Sequence, residues 1–510
     1  MAEPTKPKRP SRSKKAPQPD FSPFKDWLID GPAGKWPSFL RLEGPLSDRQ
    51  KEIVAANAAL LLDSDAWHME VEAFETALAD FRNESDRKKT RAKYAIRLDG
   101  HSFPDGPKNF SDYPFPCSVS FNGVVFGNGV VSFNGANFCD GDVSFDDATF
   151  GDGDVSFVGG SFGDGEISFV ETTFYGSNFY FLDVSLQSTS MCASGMVVDG
   201  NLFVQARFPE RTMFFRLDVK GTANFSRSSF DKVPDFRGAK FDRPPEVAAM
   251  QVPRPRLSRP KAWIAAGWFI RRYRGIEDDV ETENDNQRKE RKTEQYSTGE
   301  ETGNADMSSS QPSWLSRAVV AATGRVHRVS TSIFRLATDT EDVAKFRKLK
   351  SMALAANDHE KDGEFFAGEM LAKRGFETTT FFGLLFNTIY WWLSDFGQSF
   401  VRPLLWLGVS FFSFAGLCLY LIRDALTLTD RLWFAVDFSF RNMLPLFGSL
   451  FRFASAPKDH VSWYQKTYDR LATAGVDIDL LIGLGIAQSL FGTVLLFLLL
   501  LALRNKFRLK

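Results

Sequence analysis

The most regular feature of the chain is a recurrence of phenylalanine between residues 119 and 181. There are two series of rings, offset by five positions, and in each series a ring returns at every twelfth position. In the first series an apolar residue and a serine precede each ring, as in Val143–Phe145. Alternate side chains of an extended segment point to opposite sides, so the apolar residue and the ring face inward and the serine faces outward. The rings expected to stack from coil to coil are Phe121, Phe126, Phe133, Phe138, Phe145, Phe150, Phe157, Phe162, Phe169 and Phe174.

Glycine and aspartate separate these triplets and supply the corners of a wound chain, since both tolerate turn conformations. The triplet-and-turn pattern resembles the pentapeptide-repeat family, and the resemblance implies a right-handed parallel β-helix over residues 99–245. Alternate units carry two extra residues, such as Gly153 and Asp154, so the unit is five plus seven residues rather than uniformly five. A four-faced coil then takes 24 residues and a two-faced coil takes half as many, and the repeat permits both.

Helical patterns precede the repeat. Residues 1–22 are rich in proline, lysine and serine, which predicts a basic disordered tail without a cleavable signal peptide. Residues 23–98 are predicted to form a helical cap, in which Ser47 begins a first helix and a second runs from Trp67 to Phe81. Such a cap covers the open edge of the first coil, which would otherwise pair with other chains.

Three further segments follow the repeat. Residues 246–275 combine aromatic and basic side chains and suit either a membrane interface or the end of the β-helix. Residues 276–313 are charged and almost free of apolar side chains, which predicts a disordered linker. Residues 314–378 are predicted to be a cytoplasmic helical region, because two apolar stripes between 340 and 374 indicate two helices.

The membrane region, residues 379–510, contains two uncharged apolar stretches, at about 403–422 and 480–503. Each is long enough to cross the roughly 30 Å hydrocarbon core of a bilayer. Basic residues follow the second stretch at once, so both termini are expected in the cytoplasm. Residues 432–453, between the spans, are aromatic but too polar to cross, which predicts an interfacial or re-entrant segment.

The C-terminal third carries a second resemblance. The phrases at Phe346–Lys350, Glu364–Glu369, Ser394–Pro403 and Ala502–Arg508 are similar to the membrane-anchored branch of bacterial pentapeptide-repeat proteins. This resemblance implies a multi-pass protein of the bacterial inner membrane. It brings no catalytic or ligand-binding residue to this chain.

Composition narrows the chemistry. The chain has 62 basic and 63 acidic residues, and none of its four cysteines forms a CxxC pair, so neither a disulfide framework nor a zinc site is expected. We find no phosphate-binding loop, dinucleotide fingerprint or nucleophile elbow in the sequence. The expectation is therefore a protein without enzyme activity and without a cofactor.

The repeat region is strongly acidic, with 12 acids and no lysine or arginine from Asn109 to Ala206. Stacked corners align these carboxylates, and three explanations fit: a solvated acidic face, which is favoured, a face that binds a partner, or oxygen ligands for Ca²⁺. The candidate calcium ligands are Asp140, Asp142, Asp152, Asp154, Asp164 and Glu166. Direct binding to nucleic acid is disfavoured, because phosphate contacts need positive charge.

The membrane region permits two functions. A span, a re-entrant segment and a second span form the layout of two-helix channels, and Asn442 and Pro445 would then lie in the pore loop, although no glycine-rich selectivity filter is present. Gly485, Ser489 and Gly492 allow close helix approach and hence a homo-oligomer. The favoured hypothesis is a scaffold, held in membrane lipid, that presents a rigid acidic β-helix to a cytoplasmic protein partner. The alternative is an oligomeric two-span pore, similar to an ion channel and regulated by the β-helix.

Overall fold

The computed structural model describes residues 20–29, 44–81, 83–187, 190–258, 334–423, 425–443 and 470–507. The chain divides into two compact units. The first unit contains the residues up to 253 together with 348–358, and the second contains 254–347 and the residues from 359 onward. The predicted tail before residue 20, the segment 259–275 and the predicted linker lie outside the described residues.

The first unit is a parallel β-solenoid, which confirms the predicted fold. One sheet has six strands: Ala95–Arg97, Ser118–Ser120, Val143–Ser144, Ile167–Ser168, Ser190–Cys192 and Arg211–Met213. A second has ten: Lys108–Asn109, Pro114–Phe115, Val131–Ser132, Asn137–Phe138, Val155–Ser156, Ser161–Phe162, Phe179–Leu186, Leu202–Phe208, Ala223–Asn224 and Ser229–Phe230. A third has five: Thr149–Phe150, Thr173–Phe174, Val197–Val198, Asp218–Val219 and Lys240–Phe241. Each strand pairs with the strand one coil away, so neighbouring coils satisfy one another's backbone groups.

The coil has four faces, and where the repeat is regular one coil spans two periods of the sequence pattern. Val143 pairs with Val119 on one side and with Ile167 on the other, each two periods away along the chain. The ring of Phe145 stacks on Phe121 with 4.6 Å between centroids, and all ten repeat phenylalanines are buried. The two-faced coil is thereby excluded, because the ring one period before Phe145, that of Phe133, lies on a different face and meets it edge-on.

Between residues 184 and 212 the phenylalanine pattern lapses but the winding continues. The long strands Phe179–Leu186 and Leu202–Phe208 each span two faces and pair with each other in parallel, with a register shift at Asp183, whose φ is positive like that of Gly159 one coil earlier. Buried Leu202 and Val204 replace rings in this part of the interior. Coils also shorten here, since Met191 pairs with Thr212, which comes three positions earlier than the partner that a regular coil would provide.

A short 3-10 helix, Ser22–Trp27, and three α-helices form the cap: α1 (Asp48–Leu62), α2 (Ser64–Ala79) and α3 (Glu84–Arg91). Ser47 caps α1, as predicted, through reciprocal hydrogen bonds with Gln50. Trp67 on α2 is fully buried, and its indole N–H donates to the carbonyl of Pro114 (3.1 Å) in the first coil. Helix α2 of the cap therefore covers apolar surface of the first coil.

The second unit contains an antiparallel strand pair, Leu257–Ser258 with Leu336–Ala337, followed by helices. The helices are α4 (Asp342–Ala355, whose second half belongs to the first unit), α5 (His359–Ala372), α6 (Phe381–Ser394), α7 (Val401–Leu421), α8 (Leu428–Met443) and α9 (Ile478–Lys506). Helices α7 and α9 are long and apolar enough to cross a membrane and agree with the two predicted spans. Helix α8 packs against both of them.

Candidate functional site

Some of the candidate calcium ligands cap amide groups of the next coil. The Oδ1 atom of Asp142 accepts a hydrogen bond of 2.9 Å from the backbone N–H of Glu166, one coil later. The Oδ1 atom of Asp154 accepts from the side-chain amide of Asn178 (2.8 Å) in the same relation. These carboxylates satisfy donors that a corner would otherwise leave to water, and so they contribute to the winding itself.

Asp140 and Asp164 meet cations from the helical cap. The Nζ atom of Lys88 on α3 lies 3.4 Å from Asp140 Oδ2 and 2.9 Å from Asp164 Oδ2. The hydrogen bond to Asp164 raises the pKa of Lys88 above its ordinary value. The guanidinium of Arg91 also lies 4.0 Å from Asp140 Oδ2. The cap thus supplies positive charge at this corner, which is one of the candidate calcium positions.

Asp152 and Glu166 are exposed, and the backbone N–H of Asp152 donates to the side-chain oxygen of Asn128 (3.0 Å). Within the described ranges, no three histidine, cysteine or acidic side chains are grouped so that they could hold a metal ion. Calcium binding by these corners stays a prediction.

The serines that precede the rings point away from the core, but they are not all exposed to solvent. On the six-stranded sheet, Ser144 and Ser168 are buried, and their hydroxyls donate to Asn122 and Asp146 of the preceding coil. Burial raises the pKa of the Asp146 carboxyl. A polar ladder therefore runs along this sheet on the side opposite the rings.

The ladder begins at an ion pair that sequence reasoning missed. Arg97 and Asp99 in the first coil are both almost fully buried, 3.6 Å apart, and Ser120 donates to Asp99 (2.6 Å). Burial lowers the pKa of Arg97 and raises that of Asp99. The available signal was an acid or amide two positions after Ser120, Ser132 and Ser144, as in Ser144–Asp146, which marks the polar row that accompanies the rings.

Eight of the 12 acids between 109 and 206 remain exposed on the solenoid. They are Asp112, Asp147, Asp152, Asp164, Glu166, Glu171, Asp183 and Asp199. Asp147 and Glu171 occupy equivalent corners of successive coils, each with a positive φ. No lysine or arginine lies between Asn109 and Ala206, so these exposed carboxylates, apart from Asp164, which Lys88 contacts, make this stretch a strongly negative surface.

The second candidate site is a polar cluster among the apolar helices. Gln488 on α9 is fully buried, and its Nε2 donates to the backbone oxygen (3.0 Å) and the hydroxyl (2.6 Å) of Ser439 on α8. The Ser439 hydroxyl in turn donates to the carbonyl of Phe411 on α7 (2.8 Å). One hydrogen-bonded chain therefore ties α8 to both long helices, the kind of contact that holds helices together in lipid.

The described part of α8 reaches the middle of α9. A side chain added at Gly492, the fifteenth of 29 residues in α9, would overlap the carbonyl of Met443 on α8. Gly485 leaves room in the same way for Phe438 and for the half-buried pore-loop candidate Asn442. Two of the three predicted small-residue positions, Gly485 and Gly492, thus make room for a contact within the chain, and the homo-oligomer stays a prediction.

The predicted re-entrant segment is only partly described. Residues 432–443 fall in α8, whereas Pro445 and the rest of 444–453 lie outside the described residues.

A scan against family models, a search of curated proteins and a search of solved structures each give no match. The resemblance to pentapeptide-repeat proteins therefore remains a prediction that comes from the repeat pattern.

Proposed function

We propose that this chain is a membrane-anchored scaffold, which holds a rigid acidic β-solenoid in the cytoplasm for a protein partner with a basic surface. Helices α7 and α9 are the anchor, in the inner membrane of a bacterium, with both termini in the cytoplasm. The observation that carries the proposal is the group of eight exposed acids between residues 109 and 206, displayed on coils fixed by stacked rings.

Rigidity is what makes the solenoid suited to this role. The rings of Phe126, Phe150 and Phe174 stack with centroid distances of 4.3 and 4.8 Å and nearly parallel planes. A surface on such a core keeps its charges at fixed spacing, so little ordering entropy is lost when a partner binds. Charge complementarity then sets the rate of association and its dependence on salt.

Neutralising two equivalent corners tests the acidic surface. We expect Asp147→Asn with Glu171→Gln to weaken recovery of partners from a detergent extract of the native membrane, and to flatten the dependence of recovery on salt. The matched control is Asp65→Asn with Glu72→Gln, which removes two exposed acids from α2 of the same unit. Equal recovery with both double variants would contradict a role for the solenoid corners.

The anchor has its own test. The full chain is expected to stay with membranes through washes at high salt and at alkaline pH, and to be released by detergent. Release by either wash without detergent would show that α7 and α9 do not cross a bilayer, and the scaffold would then lose its attachment.

A second candidate function is favoured by the position of α8. The described part of this helix reaches the midpoint of α9, where the amide side chain of Asn442 lies beside Gly485, so a polar group is held next to a proposed span. Oligomers of such chains would form an ion pathway. Unitary currents from the purified full chain in planar bilayers, abolished by Gly492→Leu and retained by Gly483→Leu at an open position, would favour the pore over the scaffold.

A further inference from the structure

Helix α6 exposes a row of large apolar side chains, of which only Trp392, at one end, has a ring contact with another described helix. Phe382 and Phe386 are 68% and 66% exposed, and Ile389 and Trp392 continue the row at helical spacing. Helix α6 has 14 residues, so it is about 21 Å long and too short to cross a bilayer. An apolar row of this size on a short helix needs a covering surface.

The opposite face of α6 is fixed by polar contacts to α5 and the turn after it. Buried Asn387 accepts a hydrogen bond from Arg374 Nε (2.6 Å) and donates to the carbonyl of Met370 (3.0 Å). Burial lowers the pKa of Arg374 to about 10, and its guanidinium lies 5.4 Å from the ring centre of Trp391. Helix α6 therefore cannot turn its apolar row inward without breaking buried hydrogen bonds.

Charged and amide side chains at the start of α7 and at the end of α9 lie close to the end of α6. Arg402, at the start of α7, donates to the carbonyl of Trp391 (3.0 Å). Near the end of α9, Asn505 donates to the carbonyl of Gly397 (3.3 Å), and Lys506 lies 4.7 Å from the ring centre of Phe400. Charged and amide groups from both apolar helices thus gather beside the last turn of α6, as expected where spans leave the hydrocarbon.

The apolar row of α6 is continuous with the exposed surface of α7. Trp392 packs on Trp406 with 4.0 Å between ring centres, and the exposed Leu405, Val409 and Phe412 carry the apolar surface along α7. Tryptophan at this position suits the boundary between headgroups and acyl chains, where one edge of the ring is wet and the other is apolar.

We propose that α6 is an interfacial helix, which lies along the cytoplasmic surface of the bilayer with Phe382, Phe386, Ile389 and Trp392 in the lipid. The occupant of the row is the lipid itself, because the row extends the lipid-facing surface of a proposed span. This inference rests on the proposed anchoring by α7 and α9. Its consequence is that α5, which is hydrogen-bonded to α6, is held against the membrane surface.

Nitroxide labels on the full chain test the inference. The four natural cysteines are replaced by alanine, the fold of this background is checked by circular dichroism, and one cysteine is placed at Phe386, Val409 or Met69. Met69 is an exposed apolar residue on α2 and serves as the matched position in water. In vesicles of phosphatidylcholine and phosphatidylglycerol, collisions with oxygen and with a water-soluble nickel complex report the depth of each label.

The label at position 386 is expected about 5–10 Å below the headgroups, shallower than that at Val409, with the Met69 label in water. Nickel access at 386 combined with a lipid-buried label at 409 would overturn the interfacial helix and leave the anchor intact. Nickel access at both would overturn the anchor and the helix together. A label at 386 that neither reagent reaches would mean that protein, such as a second copy, covers the row, which also overturns the inference.

Discussion

Truncating one ring in the middle of the solenoid should be among the most costly single changes available to the first unit. Phe145 is fully buried, with parallel rings on both sides: Phe121 at 4.6 Å and Phe169 at 5.1 Å between centroids. Its edges meet Phe133 and Phe157 at 5.7 and 5.6 Å, with planes nearly perpendicular. With a tilted contact to Phe150 at 6.3 Å, one ring therefore belongs to five aromatic contacts.

The magnitude follows from these contacts. Burial of the side chain contributes about 2–3 kcal/mol, and each stacked neighbour adds about 0.5–1.5 kcal/mol. Because the coils above and below are fixed by their own backbone ladders, the cavity in Phe145→Ala cannot collapse, and we expect a loss of about 4 kcal/mol. Phe145→Leu, which retains most of the apolar volume, should lose about 1.5 kcal/mol.

Hydrogen exchange read by mass spectrometry on the full chain is the suitable assay, because unfolding of a chain with several units has no single free energy. Peptides that cover residues 119–126 and 167–174 should lose protection together with the mutated coil, since each coil is stabilised by its neighbours. The matched control is Tyr175→Ala, whose side chain is 54% exposed and should change protection by less than about 0.5 kcal/mol. Equal effects of the two variants would refute the reasoning from stacked rings.

Three further changes have definite expected outcomes. Gly141→Ala should cost more than about 2 kcal/mol in exchange protection because its side chain would overlap the backbone of the previous coil, whereas Gly159→Ala, with open space but a φ of +69°, should cost only about 1–2 kcal/mol. Gly492→Leu should lower the melting temperature in detergent by displacing α8, while Gly483→Leu should leave it unchanged. Burial raises the pKa of the Asp342 carboxyl to about 6, so the folded chain keeps a proton that the unfolded chain loses above about pH 4. At pH 7 the charged carboxyl is therefore less favourable in the folded chain than in the unfolded chain. Asp342→Asn should stabilise α4 at pH 7 by about 2 kcal/mol but not below pH 4. Equal protection of the variant and the natural chain at pH 7 would contradict this last expectation.

The repeat predicted the fold because the same residue types recur at equivalent positions of successive coils. An inward ring and an inward valine at fixed spacing leave few alternatives to a solenoid, and the two uncharged stretches leave few alternatives to apolar helices. The length of one coil was undetermined, because the period of the pattern fits two faces or four. Rings that stack two periods apart, such as Phe126 with Phe150, decide between them.

The candidate sites were harder to predict because their partners are distant in sequence. Lys88 lies far from Asp140 and Asp164 along the chain, and nothing in the local pattern reports that the cap neutralises this corner. From the sequence alone, Arg97 and Asp99 would be taken for two charged residues on the surface, although the structure buries both. Gln488 likewise shows no sign that its partner is Ser439, because only the folded helices bring them together.

The hydrogen bonds by which corner side chains cap backbone amides run in one direction along the solenoid. Side-chain oxygens of Asp105, Asn128 and Asp142 accept from amides of the coil made after them, and Asn201 does the same for Thr222. A coil that is already folded therefore presents side-chain acceptors to the segment that is translated after it. This direction suits a solenoid that folds during synthesis, with the N-terminal cap covering the first coil from the start.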